Sequence, residues 1–216
     1  MGQLRPPMKS LYVQTFGCQM NSSDSDRMKA SLAPLGFEKS SEPDNADVVL
    51  INTCSVREKA ENKMSSFAYD LKKLKKSNPK MIIGVTGCVA QQEKERIQAE
   101  LPFVDLVLGP DNIDDLPWAI EELTLHPKEK ILLADFDKEE RIWNTKTKLL
   151  NPGTTAFISI MKGCDHFCSY CIVPFTRGRE KSRPIKDILE DVKDLVSQGV
   201  KEITFLGQNI NTFGKR

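Results

Sequence analysis

Three times before residue 100 the chain runs an apolar, β-rich stretch into a cysteine and then into a helix-forming stretch. Leu11-Tyr12-Val13-Gln14-Thr15-Phe16 leads to Gly17-Cys18, and Asn21-Ser22-Ser23-Asp24 follows as a helix-start cluster. Met28, Leu32 and Leu35 continue the helix on one face until Gly36, with Pro34 disturbing its last turn. Val48-Val49-Leu50-Ile51 leads through Asn52-Thr53 to Cys54, where Ser55 and Glu58 form a capping box ahead of Ala60, Met64, Phe67, Leu71 and Leu74. Met81-Ile82-Ile83-Gly84-Val85 leads to Thr86-Gly87-Cys88 and a helix from Gln91 to Glu100. A fourth strand, Asp105 to Leu108, ends at Gly109-Pro110. Strands alternating with helices pair in parallel, because each crossover returns the chain to the same end of the sheet. The spacing therefore predicts an α/β fold with an open parallel βαβ sheet. Each cysteine falls just past a strand's carboxyl end, where open sheets bind their ligands. Cys18, Cys54 and Cys88 are expected to meet there as ligands of one iron-sulfur cluster; scattered buried thiols are the plainer alternative.

The other three cysteines lie together. Cys164, Cys168 and Cys171 are spaced C-x3-C-x2-C directly after the apolar run Ala156 to Met161. Iron-sulfur cubanes are commonly held by four thiolates, so three on one loop leave one iron free for another ligand. A partial zinc knuckle is the competing assignment; structural zinc wants four ligands at paired spacings, and His166 sits inside the turn, not beyond it.

Six cysteines in 216 residues, with no apolar leader in the first residues, point to a reducing, cytoplasmic setting in which cysteines serve metals instead of disulfides. The longest apolar runs fall far short of the roughly 20 residues that span a bilayer, so no membrane partner is expected. A net charge of +1 is not the footprint of a nucleic-acid binder. Lys72, Lys73, Lys75 and Lys76 read as a solvated helix end. Arg177, Arg179 and Arg183 follow the second cysteine group and are open to two readings, contact with an anionic ligand or ion pairing with Glu180 and Asp187.

Residues 126–153, with Ile131-Leu132-Leu133 and a polar stretch after it, read as a linker between a domain at 9–125 and a second at 154–216. His126 reads as an exposed turn residue, and Trp118 and Trp143 as packing or interface residues and not as substrate platforms. In the second domain a strand delivers the cysteine loop, Pro184 opens a helix whose Ile185, Ile188, Leu189, Val192, Leu195 and Val196 are expected to hold one face, and Glu202 to Leu206 is another strand. Two strands and a helix are the start of a barrel that needs about 200 residues or more, so this domain is expected to be truncated and the chain a fragment.

The C-x3-C-x2-C spacing with Tyr170 before the third cysteine resembles the signature of radical S-adenosylmethionine (SAM) enzymes. With the Cys18, Cys54 and Cys88 domain ahead of it, the chain resembles the methylthiotransferases of that superfamily. Thr15-Phe16-Gly17-Cys18-Gln19-Met20-Asn21, Asn52-Thr53-Cys54-Ser55-Val56-Arg57-Glu58-Lys59-Ala60 and Cys171-Ile172-Val173-Pro174-Phe175-Thr176-Arg177-Gly178-Arg179-Glu180 are most similar to the branch acting on isopentenylated adenosine. The resemblance implies two 4Fe-4S clusters and SAM as cofactors. The one on Cys164, Cys168 and Cys171 would cleave SAM, Tyr170 would pack on its adenine, and Gly207, Gln208 and Asn209 would lie near it. It implies methylthiolation of carbon 2 of N6-dimethylallyl(isopentenyl)adenosine next to the anticodon of tRNA. Sibling branches act on threonylcarbamoyl-adenosine in tRNA or on an aspartate of a ribosomal protein. Implied partners are tRNA, an electron donor such as flavodoxin or ferredoxin, and a sulfur donor or cluster-repair protein. The family's remaining barrel and RNA-binding domain have no counterpart here, so the chain alone is expected to bind tRNA weakly and not to turn over. A non-catalytic two-cluster electron-transfer protein would share the cysteines but would not need an open iron.

Overall fold

A computed structural model describes residues 9–56, 58–136 and 153–215, apart from the side chains of 58–61. The chain opens with β1 (Lys9–Phe16) and α1 (Gln19–Leu32), which tightens into a short 3-10 turn (Ala33–Leu35) at Pro34. Gly36 closes that turn at φ +82°, a left-handed conformation that glycine adopts without Cβ strain. Next come β2 (Phe37–Lys39), β3 (Val48–Thr53), α2 (Glu58–Ser77), β4 (Ile82–Gly87), α3 (Cys88–Glu93), α4 (Glu95–Glu100), β5 (Leu106–Leu108), α5 (Leu116–Leu125) and β6 (Ile131–Leu133). All six strands pair in parallel in the order β2-β1-β3-β4-β5-β6.

Alternation along the central strands separates two cores. Val48, Leu50, Leu106 and Leu108 pack with Met28, Leu32, Leu116 and Ile120 from α1 and α5. Val49, Ile51, Ile83, Val85 and Val107 pack with Met64, Ala68, Leu71, Val89 and Ile97 from α2, α3 and α4. The central strands are buried on both faces, as expected of a parallel sheet covered by helices on each side. Gly84 admits the opposing strand's side chain, since a Cβ there would lie 2.8 Å from Leu50 Cδ2.

Three features depart from the sequence reading. The segment expected to be a linker from residue 126 contains β6, whose Ile131, Leu132 and Leu133 pair with Leu106, Val107 and Leu108. A three-residue strand has no periodicity to reveal it, and the first unit therefore runs past residue 125. The helix expected from Gln91 to Glu100 is two helices, broken at Lys94, whose φ of +45° no α-helix accommodates. β2, an edge strand, was not anticipated. Of the expected capping box, Ser55 Oγ is buried without a hydrogen-bond partner among the described residues, while the Glu58 side chain and Trp143 lie outside them.

The second unit comprises β7 (Thr155–Ser159), β8 (Met161–Lys162), α6 (Val173–Thr176), β9 (Lys181–Ser182), α7 (Ile185–Ser197) and β10 (Glu202–Leu206). β10 pairs in parallel with β7, making the expected βαβ unit, while β8 and β9 form a small antiparallel ladder across the base of the cysteine loop. No described helix is long and apolar enough to cross a membrane.

The two units pack against each other. α1 lies on β7 and α3 on α6. Ser23 Oγ is 3.1 Å from Ser159 Oγ, and Lys162 Nζ is 2.8 Å from Asp111 Oδ1 across the seam.

Candidate iron-sulfur sites

Register brings the first three cysteines to one edge. β1, β3 and β4 are neighbours, with Phe16 opposite Thr53 and Thr53 opposite Gly87, so Cys18, Cys54 and Cys88 leave three adjacent strands at the same carboxyl end. Cys18 and Cys54 are close enough to share a thiol hydrogen bond, and Cys88 is near enough to act electrostatically on Cys54. The hydrogen bond from Cys54 holds Cys18 well below the usual thiol range, at about 5, with burial opposing it and the Asn21 and Met20 backbone N–H groups and Arg177 assisting. The same bond, with burial, pushes Cys54 up. The pair thus stores one proton and one negative charge, the state a metal replaces when it binds thiolates.

The surrounding backbone supplies donors to sulfur. The Val56 N–H donates to Cys54 Sγ at 3.4 Å, and Arg177 Nε donates to Cys88 Sγ at 3.2 Å. Cys18 caps α1: its sulfur accepts the Asn21 backbone N–H, and its own N–H donates to Asn21 Oδ1. Asn21 is held in turn by Asn52, with Asn21 Nδ2 donating to Asn52 Oδ1 at 3.0 Å and Asn52 Nδ2 donating to Asn21 O and Ser25 Oγ. Both asparagines are fully buried. The glycines before Cys18 and Cys88 make room for them: a Cβ would lie 2.5 Å from Asn21 Oδ1 at Gly17 and 2.3 Å from Asn52 Oδ1 at Gly87. Free thiols flanked by N–H donors at a sheet edge fit a polynuclear iron-sulfur group.

Cys164, Cys168 and Cys171 lie on the loop between β8 and α6, all as free thiols, with Cys168 exposed and the others half-buried. The loop is pinned at its base. Cys164 N–H donates to Gly178 O, and Asp165 Oδ1 accepts both the Glu180 N–H at 3.2 Å and Arg179 Nε at 2.7 Å. Within it the Cys171 N–H closes a turn onto Cys168 O at 2.9 Å. Gly163, at φ +72°, lies so close to the returning strand that a Cβ would come within 2.1 Å of Arg179 O. Phe167 is also left-handed at φ +45°, an unusual conformation for an aromatic residue and one that concentrates at functional loops.

Among the described residues no three Cys, His, Asp or Glu side chains converge tightly enough to hold a single metal ion. A polynuclear cluster asks something different, because each thiolate binds a separate iron and the ligands stand further apart. Tyr170 is 91% exposed, as a residue waiting to pack on a ligand would be. Gly207, Gln208 and Asn209 follow β10, the strand beside β7, and Asn209 Nδ2 donates to His166 Nε2 of the loop at 2.7 Å. Gln208 Oε1 is buried and accepts no hydrogen bond from the described residues.

The arginines divide. Arg179 is exposed and stacks over the Phe167 ring at 5.2 Å. Arg177 and Arg183 are buried and do not face a solvent-borne anion: Arg177 Nη1 is 2.6 Å from Asp24 Oδ2, and Arg183 Nη2 is 2.8 Å from Asp191 Oδ2. Burial works against the charge on Arg177, but Asp24 and Cys88 outweigh it and raise its pKa further. Among the lysines at the end of α2, Lys75 is not solvated but pairs with Asp105. His126 is exposed, as expected, beside Glu122. Asn21 and Asp24 read in the sequence as helix-start residues and Asn52 as part of a strand end; their site partners lie up to 153 residues away, between Asp24 and Arg177, and spacing carries no signal for that.

A cavity of about 390 Å³, lined in part by Lys9, Phe37, Met81 and Leu123, lies at the strands' amino ends, away from all six cysteines. The chemistry therefore follows the thiols and not the volume of the cavity.

Residues 10–109 match the uncharacterized protein family UPF0004, and residues 158–215 match the Radical SAM superfamily. The cysteine loop therefore lies in a segment similar to the Radical SAM superfamily, after a sheet domain similar to UPF0004. It is 43% identical over 205 residues to a tRNA-2-methylthio-N(6)-dimethylallyladenosine synthase of Bdellovibrio bacteriovorus, covering 95% of this chain and 45% of that protein. It is 47% identical over 206 residues to the protein of the same name in Paraburkholderia xenovorans, again covering 95% of this chain and 45% of that one. Both halves of the chain are thus similar to proteins that carry that name. It spans about half the length of the curated relatives it matches. Its fold is similar to that of the radical SAM methyltransferase TsrM of Kitasatospora setae, solved with cobalamin and a [4Fe-4S] cluster, with a TM-score of 0.62 at 13% identity over 94% of this chain and 50% of that one.

Proposed function

We propose that the chain serves in the methylthiolation of carbon 2 of N6-dimethylallyl(isopentenyl)adenosine next to the anticodon in tRNA, as part of a radical SAM transferase. The observation that carries this reading is the packing of α3, which begins at Cys88, on α6, which begins two residues after Cys171, so that elements adjoining two separate sets of three cysteines meet at one seam. The names of the relatives support the substrate.

In this reading the sheet domain, extending through β6, holds one 4Fe-4S cluster on Cys18, Cys54 and Cys88, and the domain from residue 154 holds another on Cys164, Cys168 and Cys171. Cys164, Cys168 and Cys171 would hold the cluster that would supply an electron to SAM, and Cys18, Cys54 and Cys88 would hold the one that would supply sulfur. The residues do the positioning. Tyr170 offers its exposed ring to the adenine of SAM, and Gln208 Oε1 offers a free acceptor beside the loop. Asp165 and Gly163 hold the loop against residues 178–180, fixing the thiols relative to β10. tRNA, a flavodoxin- or ferredoxin-type reductant and a sulfur donor or cluster-repair protein are the partners this chemistry requires, and a tRNA substrate puts the work in the cytoplasm.

The test uses anaerobically reconstituted protein, alone and joined to a relative's downstream sequence, with SAM, a strong reductant, sulfide and isopentenylated tRNA. 5′-Deoxyadenosine formation that is abolished in Cys168→Ala, and methylthio-adenosine in digested tRNA from the joined protein, are expected. Failure to cleave SAM with iron bound to the Cys164, Cys168 and Cys171 loop would overturn the reading.

A further inference from the structure

Arg177 belongs by sequence to the loop that carries one set of cysteines, yet its guanidinium lies among the residues of the other. Nε donates to Cys88 Sγ at 3.2 Å, Nη1 lies 2.6 Å from Asp24 Oδ2, and Nη2 has no hydrogen-bond acceptor among the described residues. The side chain is 6% exposed. Burying a guanidinium against one carboxylate with a donor left unmet is a poor way to gain stability, because the desolvation cost is only partly returned. A donor held in reserve beside a thiolate is instead suited to a sulfur-bearing group. A fixed positive charge hydrogen-bonded to a ligand sulfur favours the more negative, reduced state of a cluster and raises its potential.

We propose that Arg177 is a positioning residue for the Cys18, Cys54 and Cys88 centre: the radical SAM domain inserts this cation across the seam and thereby sets the reduction potential of the cluster those thiolates hold. Asp24 sets its strength. It anchors the guanidinium and partly neutralises it, and it sits on α1, whose cap is Cys18. The two domains would then need to be docked for the sulfur-bearing centre to have its working potential. This inference rests on the proposed function, since it presupposes an iron-sulfur cluster at those three cysteines.

The test is made on the whole chain with Cys164, Cys168 and Cys171 all replaced by alanine, so that only one cluster gives a signal. The midpoint potential is followed by electron paramagnetic resonance during redox titration. Arg177→Gln is expected to move the potential to more negative values by several times the error of the titration, and Arg177→Lys to recover most of the shift. Asp24→Asn, which leaves the cation uncompensated, is expected to move it in the opposite direction. A merely structural role would not give shifts of opposite sign. Unchanged potentials in Arg177→Gln and Asp24→Asn with the iron content of the parent would overturn the inference and leave the proposed function standing. A parent that binds no iron at Cys18, Cys54 and Cys88 would overturn both. If Arg177→Gln cannot hold iron, Asp24→Asn decides by itself: a positive shift supports the inference and no shift overturns it.

Discussion

Two thiols in contact need not be alike. Cys18 accepts hydrogen bonds from Cys54 and from the first backbone N–H groups of α1, and its ionised form is stabilised to about 5. Cys54, the donor in that pair and buried, is driven the other way. In metal-free protein at neutral pH Cys18 is therefore expected to be alkylated by iodoacetamide well before Cys54, with a rate that holds steady down to about pH 5 and falls below it as the thiolate takes up a proton. Peptide mass spectrometry of the alkylated protein reads this, and faster labelling of Cys54 would contradict it. Behind Cys18 stands Asn52, whose amide satisfies three buried partners. Asn52→Ala leaves the Asn21 amide and carbonyl without them and is expected to lower stability by about 1–3 kcal/mol, read from urea unfolding of the metal-free protein.

The elements that carry the cysteines are positioned by close backbone approach as well as by packing. Gly163→Ala forces a Cβ to 2.1 Å from a backbone oxygen at φ +72°; the left-handed conformation alone costs roughly 1–2 kcal/mol for a residue with a side chain. The loop is expected to shift and to lose its iron while the sheet-edge site keeps its own, which iron counting on Gly163→Ala with and without Cys54→Ala would show. Arg183, which joins Asp191 of α7 to the Ser159 carbonyl of β7, makes a comparable tie. Arg183→Met takes this partner from a buried carboxylate and is expected to lower stability, by no more than about 3–5 kcal/mol, measured by denaturant unfolding. Much of this level was legible in the sequence. Leu11 to Phe16, Val48 to Ile51 and Met81 to Val85 are long enough apolar runs to declare themselves strands, and the cysteine after each marks the ligand edge. β2 and β6 are three residues each and pair at the two edges of a sheet that the other strands build, so local pattern could not reveal them. The break at Lys94 has neither glycine nor proline to announce it. Arg177 was visible as a basic residue beside the loop, but its partners, Asp24 and Cys88, belong to the other domain, and no local rule turns it inward.

At the scale of the whole molecule, the seam joins the two units that carry the cysteines. α1 and α3, which start at or beside Cys18 and Cys88, are the helices that receive β7 and α6, so the domain carrying the cysteine loop docks onto the elements that present the other cysteines. Ser23 with Ser159, Asp111 with Lys162 and Asp24 with Arg177 hold that contact through polar pairs. The central claim is that the six cysteines form two independent cluster sites and not one shared site or six scattered thiols. Iron and sulfide content after anaerobic reconstitution tests it most directly, measured on the parent chain, on Cys54→Ala and on Cys168→Ala. The account predicts that each variant retains about half of the parent's iron and sulfide, with SAM-dependent change in the cluster spectrum kept in Cys54→Ala and lost in Cys168→Ala. Loss of all iron in either variant, or full retention in both, would contradict it.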